Sequence, residues 1–406
     1  MRISTHQAQQ VAIDAMIDQQ KKLSTVQEQV ATGRRITRPS DDPVAAARVV
    51  NLRDALAGTK QQQENINAAR TRLTMEESVL KSVTSVIQRV RELTVQANND
   101  SLTAEDRGFV ADEIGQLNDE LFNLANSTDS SGGFLFSGSK TKYRPFNHSV
   151  GSGYDYHGDD GQRFILIGPE RQIATGDSGS KVFRDIKDGN GEFAIFDSPS
   201  NRGSAVISPG NSVDGFKGGR YTIVFAKKVK PDGSKEFSYK VTDEKGQIIV
   251  PAGTPYKSGD AIAFKGVNTF IKGEPENGDS FVVRPSENQD LFTTIDRLVS
   301  ALKGTDDKGK GFTGLHNEAA RALVGLDQGL NNILDVRATV GARLNALDGQ
   351  EDINGSYKLQ IKQTLSKVED LDYSKAVSDL NLKLTGLKAS QKAFTRVQGI
   401  SLFNYL

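Results

Sequence analysis

Ile66-Asn67-Ala68-Ala69-Arg70-Thr71-Arg72-Leu73-Thr74-Met75-Glu76-Glu77-Ser78-Val79-Leu80-Lys81-Ser82-Val83-Thr84-Ser85-Val86-Ile87-Gln88-Arg89-Val90 is the stretch that decides the fold. Ile66, Ala69, Leu73, Glu76, Leu80, Val83, Ile87 and Val90 recur at alternating spacings of three and four. That spacing lines them along one face of a helix, and such a seam asks for other helices to cover it. Upstream, Ser40-Asp41-Asp42-Pro43 reads as the start of this helix. Asp42 can accept from free backbone N–H groups, and Pro43 suits the first helical position. Run from Pro43 to about Asn98, the helix would span roughly 80 Å at about 1.5 Å per residue. Beyond it, Thr103 with Asp106 three residues later opens a shorter helix, whose stripe is Val110, Ile114, Leu117, Leu121 and Leu124.

The same habit continues outward to both ends. Near the N-terminus, Ile13, Met16, Gln20, Leu23, Gln27 and Val30 keep the three-four spacing. Toward the other end, Leu323, Leu326, Leu330, Ile333, Val340, Leu344 and Leu347 form one seam, and Val377, Leu380, Leu384, Leu387, Gln391 and Phe394 another. Two helical arms from opposite ends of the chain are expected to pack as a coiled-coil-like rod, with an ordinary bundle as the plainer reading. Residues 372–406 bring too few large apolar side chains to offset the entropy of ordering them alone. The terminal seam of Ile13, Met16, Leu23, Val30, Val377, Leu380, Leu384, Leu387 and Phe394 is therefore expected to be completed by neighbouring subunits, with folding coupled to assembly. Seven Gln among the first 30 residues suit a crowded, uncharged layer as well as a merely soluble helix.

Between the arms the composition changes. Residues 132–285 hold 24 of the 39 Gly. Short runs rich in β-branched and aromatic residues read as strands: 163–167, 221–225, 236–241, 247–250, 261–264 and 280–283. Strands without intervening helices imply a mostly antiparallel domain. The fold class is thus α+β, with a β-rich domain inserted between helical arms. Three layers are expected: 1–38 with 372–406, 39–140 with 285–371, and 141–284.

Composition bounds the chemistry. The 406 residues carry 51 Lys plus Arg against 51 Asp plus Glu, so no net field favours nucleic acid or an anionic membrane. Zero Cys removes disulfides and thiolate chemistry. No stretch approaches the length of a membrane span, and the first residues lack the apolar core of a cleavable signal. His6, His148, His157 and His316 lie too far apart for a ligand motif. Gly176-Asp177-Ser178-Gly179-Ser180 resembles a protease nucleophile loop but lacks its partners. The stretch from Gly304 to Gly311 begins like a phosphate loop but follows a helix and ends without the Ser or Thr that would hold magnesium. Asp188-Gly189-Asn190-Gly191-Glu192 reads better as a turn than as a calcium loop. No enzyme, cofactor or metal is expected.

Val30-Ala31-Thr32-Gly33-Arg34-Arg35-Ile36-Thr37-Arg38-Pro39-Ser40-Asp41-Asp42-Pro43 resembles the N-terminal block of the flagellin family. Val340 to Leu347 and Val368 to Val377 are similar to that family's C-terminal blocks. Gly33, Arg35, Pro39, Ser40, Asp41, Asp42, Pro43, Gly341, Arg343, Leu344, Asp370 and Tyr373 carry the likeness. It covers both arms, a little over half the chain. Pro43 after the paired Asp, and the ending Gly399-Ile400-Ser401-Leu402-Phe403-Asn404-Tyr405-Leu406, favour the branch that joins hook to filament over flagellin itself. The resemblance implies a structural axial protein of the bacterial flagellum, repeated in a ring or tubular lattice. Its implied partners are hook-associated protein 1, flagellin and an export chaperone. It also implies type III export and an extracellular place in the flagellum. Outside that family, a secreted adhesin with a helical stalk is the alternative.

Overall fold

The computed structural model describes residues 5–149, 153–304 and 311–399. Its helices are α1 (Thr5–Thr32), α2 (Pro43–Ala97), α3 (Ala104–Ala125), α4 (Leu291–Lys303), α5 (Phe312–Glu369) and α6 (Tyr373–Gly399). The chain divides into two compact units, Met1–Ile66 with Gly349–Leu406, and Asn67–Asp348.

In the first unit α1 lies along α6. Gly386 permits close approach there, since a Cβ at that position would meet Gln19 Nε2 at 3.1 Å. Leu23 and Val26 of α1 and Ala376 of α6 are buried. The early part of α2 meets the end of α5 through polar side chains: Gln63 Nε2 donates to Glu351 Oε1 at 2.8 Å, and within α5 Gln350 Nε2 donates to Asn354 Oδ1 at 2.9 Å. Val11, Ile17, Val44, Val50, Ile353, Tyr357, Leu359 and Leu382 are exposed on these helices. This unit has little apolar core of its own.

The second unit is different. Ile66 marks its boundary, and the rest of the quoted seam (Ala69, Leu73, Glu76, Leu80, Val83, Ile87 and Val90) is buried throughout. Leu326, Ile333, Val340 and Leu347 of α5 are buried as well. Ion pairs flank these helices: Arg337–Glu77 at 2.6 Å, Arg70–Asp348 at 2.8 Å and Arg91–Asp327 at 2.9 Å. α3 starts with the expected reciprocal cap, Asp106 N donating to Thr103 Oγ1 at 3.1 Å and Thr103 N to Asp106 Oδ2 at 3.3 Å. α4 packs on α3 and buries Leu291, Phe292, Ile295, Leu298 and Leu302. Phe146 meets Phe292 edge-on at a ring distance of 5.3 Å and Phe183 stacks on it at 5.9 Å, so residues around the hairpin 146–156 and the π-helical turn Ser180–Arg184 belong to this helical core.

The inserted strands form a second core. One antiparallel sheet runs, edge to edge, Ile248–Pro255, Lys235–Asp243, Tyr221–Val229, Ser280–Pro285 and Phe193–Asp197. A smaller sheet orders Ala261–Phe264, Val267–Lys272 and Val206–Ile207. Alternate residues of both sheets (Phe193, Ile223, Phe225, Phe281, Ile262 and Ile271 among them) meet in one apolar cluster, as alternation along a pleated strand requires. Two passages connect this sandwich to the helices. Ile186–Lys187 pairs with Asn288–Gln289, Asp188 N donates to Glu287 O at 3.0 Å, and Ser286 N to Glu192 O at 3.0 Å. The expected strands are all present. Phe193–Asp197, Val206–Ile207, Asn211–Ser212 and Val267–Lys272 are among the strands beyond that expectation; the two-residue pairings and polar-interrupted runs leave too weak an alternation to read, and Phe193–Asp197 follows directly on a turn-rich stretch. α2 ends at Ala97, one residue short of the expectation. Of the stretch likened to a phosphate loop, residues 305–310 lie outside the described residues, as do residues 400–406.

Candidate assembly joint

The first site lies where the chain leaves α1 and where it passes from α5 to α6. α1 stops because Gly33 takes φ +70°, a left-handed conformation that glycine adopts without steric cost. A Cβ there would stand 2.8 Å from Tyr373 Oη. The two passages then run antiparallel. Arg35 N donates to Glu369 O at 2.7 Å and Leu371 N to Gly33 O at 3.0 Å, bracketing an Arg34–Asp370 bridge. Arg35 donates to Val368 O through Nε at 3.2 Å and Nη2 at 2.8 Å, and Nη1 reaches Asp42 at 3.3 Å. Beneath them Glu369, whose side chain is 8% exposed, accepts Arg34 Nε at 2.9 Å and Arg53 Nη2 at 2.5 Å. A buried carboxylate is tolerable because it is paired and hydrogen-bonded.

The turn into α2 follows the same economy. Asp41 Oδ2 accepts from Arg38 N at 2.8 Å, Thr37 Oγ1 at 3.0 Å and Thr37 N at 3.2 Å. The Arg38 amide holds its carboxyl below the ordinary aspartate range. Asp42 Oδ1 accepts Ala45 N at 3.0 Å, the cap the sequence led us to expect, and that amide lowers its pKa. Pro43 is the first residue of α2, and Pro39 and Ser40 lie exposed in the turn. Gly33, Arg35, Pro39 to Pro43, Asp370 and Tyr373 are thus brought into one joint.

Gly341, Arg343 and Leu344 belong to the other unit. There Arg343 forks onto Asp177 at 2.7 and 3.2 Å, with Lys181 Nζ and Gln162 Nε2 each 3.1 Å away. The stretch likened to a protease loop therefore supplies a structural carboxylate. Asp177 N donates to Glu76 Oε1 at 3.0 Å, while Glu76 Oε2 is buried with no hydrogen-bond partner among the described residues. Burial, then the charge of Asp177, pushes Glu76 up to about 8. That keeps it mostly protonated at neutral pH. Burial works against ionised Asp177 too, but Arg343 outweighs it and holds that carboxyl low.

Along the terminal helices, Leu23 is buried, and Met16, Val30, Leu380, Leu384, Leu387 and Phe394 are half-buried. Ile13 and Val377 are exposed. Sequence reasoning passed over Glu369, Arg34 and Arg53. Nothing local marks them, because their partners lie more than 300 residues away along the chain. Glu76 was visible as an acid in an apolar seam, but not its partners. Among the described residues no group of three or more His, Asp or Glu could hold a metal, and none of the helices is long and apolar enough to cross a membrane.

These arms and joints define a flagellin-type subunit: residues 3–141 match the bacterial flagellin N-terminal helical region. Over its full length the chain is similar to flagellar hook-associated protein 3 of Salmonella typhimurium, 28% identical across 99% of each chain. It is also similar to the crystal structure of flagellar hook-associated protein 3 from Legionella pneumophila, with 32% identity and TM-score 0.73 over 79% of this chain and 98% of that one. A second Legionella structure, the flagellar junction protein FlgL, gives 31% identity and TM-score 0.70 over 80% and 100%. The chain belongs to the flagellar hook-associated protein 3 family.

Proposed function

We propose that this chain is a structural axial subunit of the bacterial flagellum that joins the hook, through hook-associated protein 1, to the flagellin filament. The observation that carries the reading is the correspondence with that family, 28% identity over 99% of both chains and a shared fold over 79% of this one. Its chemistry is that of packing and not of catalysis. The subunit repeats in a ring or tubular lattice, with 1–38 and 372–406 as the inner layer, 39–140 with 285–371 outside it, and 141–284 outermost. The exposed apolar side chains of the first unit, Ile13, Ile17, Val377 and Leu382 among them, support the view that its terminal helices complete their folding against neighbours. An export chaperone would shield them before secretion. The test is a strain deleted for the gene. Loss of filaments, with flagellin released into the medium and both defects repaired by this chain, is expected; a deletion strain with normal filaments overturns the reading.

A further inference from the structure

A surface cleft of about 380 Å³ opens in the second unit between α2 and the loop after α3, lined by Thr71, Arg72, Met75, Asp129, Ser131 and Arg163. Two guanidinium groups face it and only one carboxylate does. Asp129 is fully used: it pairs with Arg72 and accepts Ser131 N, Ser131 Oγ and Gly133 N at 2.9, 2.6 and 2.9 Å. Arg72 is used as well, donating to Phe134 O at 2.9 Å and Leu135 O at 3.2 Å. Arg163 is exposed and has no ion pair among the described residues, and it repels the like charge of Arg72. The cleft therefore carries an uncompensated positive charge beside the apolar side chain of Met75.

The complement lies on α3. Its 22 residues carry six acids against one Arg. Asp106 is spent on the cap, Asp112 on Lys303 and Glu113 on Arg89. On the outward stripe, Glu105, Phe109, Gln116 and Glu120 follow one another at spacings that keep them on one face. Glu105 and Glu120 are exposed without an ion pair among the described residues, and Phe109 is 64% exposed between them. A face of acid and ring matches a cleft of cation and apolar wall.

We infer that the cleft at Arg163 receives the acidic α3 face of a second copy of this chain, through Glu120 or Glu105. The inference rests on the axial-subunit reading. Made in one direction only, the contact is heterologous and propagates from copy to copy, whereas a closed pair would use both cleft–helix contacts at once and cross-link no further than dimers.

The chain has no Cys, which makes the test direct. Full-length Arg163→Cys/Glu120→Cys and Arg163→Cys/Glu105→Cys variants, assembled on cells and treated with a short bismaleimide, are expected to give a ladder beyond dimers for at least one pair. Each single variant should give at most dimers. Arg163→Glu should detach filaments while leaving the monomer's melting unchanged, and Glu120→Lys or Glu105→Lys in the same chain should restore them. The inference is overturned by monomer bands alone from both double variants, or by normal filaments with Arg163→Glu. Normal filaments in the deletion strain would overturn the axial reading instead.

Discussion

Glu76 holds a proton in the folded chain that it would release on unfolding. Its carboxyl moves from an ordinary 4.5 to about 8, so between those values the native state binds more protons than the unfolded one. Stability conferred at this site is complete below about pH 4.5, falls as pH rises, and levels off above about 8. Unfolding by denaturant at pH 5 and pH 8 should show the loss, up to about 1.4 kcal/mol per pH unit. Glu76→Gln should flatten that slope, and an unchanged slope in the variant would place the titration elsewhere. Asp177, held low by Arg343, contributes only at more acidic pH and leaves the window clear. Gly33 makes a second prediction. Gly33→Ala adds a left-handed side chain, costing about 1–2 kcal/mol, and brings Cβ within 2.8 Å of Tyr373 Oη. Tyr373→Phe removes that oxygen and leaves the next atom at 3.8 Å. The double variant should therefore regain part of the lost thermal stability of the α1–α6 pair, while the backbone penalty stays.

Among the elements, α6 separates stability from attachment. Leu384 is half-buried on it. Leu384→Asp should lower monomer stability by less than about 2 kcal/mol, yet stop filament attachment, because a charge in the completed layer costs several kcal/mol. Calorimetry and counts of attached filaments check both halves; attached filaments in normal number would remove α6 from the assembly seam. What could be read from sequence follows the range of the interactions. The seam from Ile66 to Val90 was legible because a helix repeats its environment every three or four residues. Asp42 and the Thr103–Asp106 pair were legible because a cap reaches only three residues ahead. The joint was half-legible: its motif residues stood out, but Glu369 and Arg53 meet only after the chain has folded back. The strands Val206–Ile207 and Asn211–Ser212 owe their pairing to a neighbour some sixty residues away and not to their own composition.

In the molecule as a whole, the inserted sandwich has its own apolar cluster, while Phe146 and Phe183 pack on Phe292 of α4. The separable part is thus bounded by Asp188 and Glu287, where the two passages lie side by side. Deleting residues 190–285 and closing the gap with a short glycine turn should leave cooperative helical unfolding in circular dichroism, with Asp290 still capping α4 through Thr293 N at 2.7 Å. Non-cooperative melting of that deletion would show that the helices need the sandwich. The joint at Gly33 has a consequence of another kind. Its two strands are separated by 333 residues between Arg35 and Val368, so α1 has nothing to lock onto until almost the whole polypeptide has been delivered. A subunit broken off by premature termination before Val368 would still contain the quoted seam and most of the strands, yet it could never close this joint. Incomplete copies would thus be barred from assembly by the order in which a linear chain arrives, without any separate inspection step.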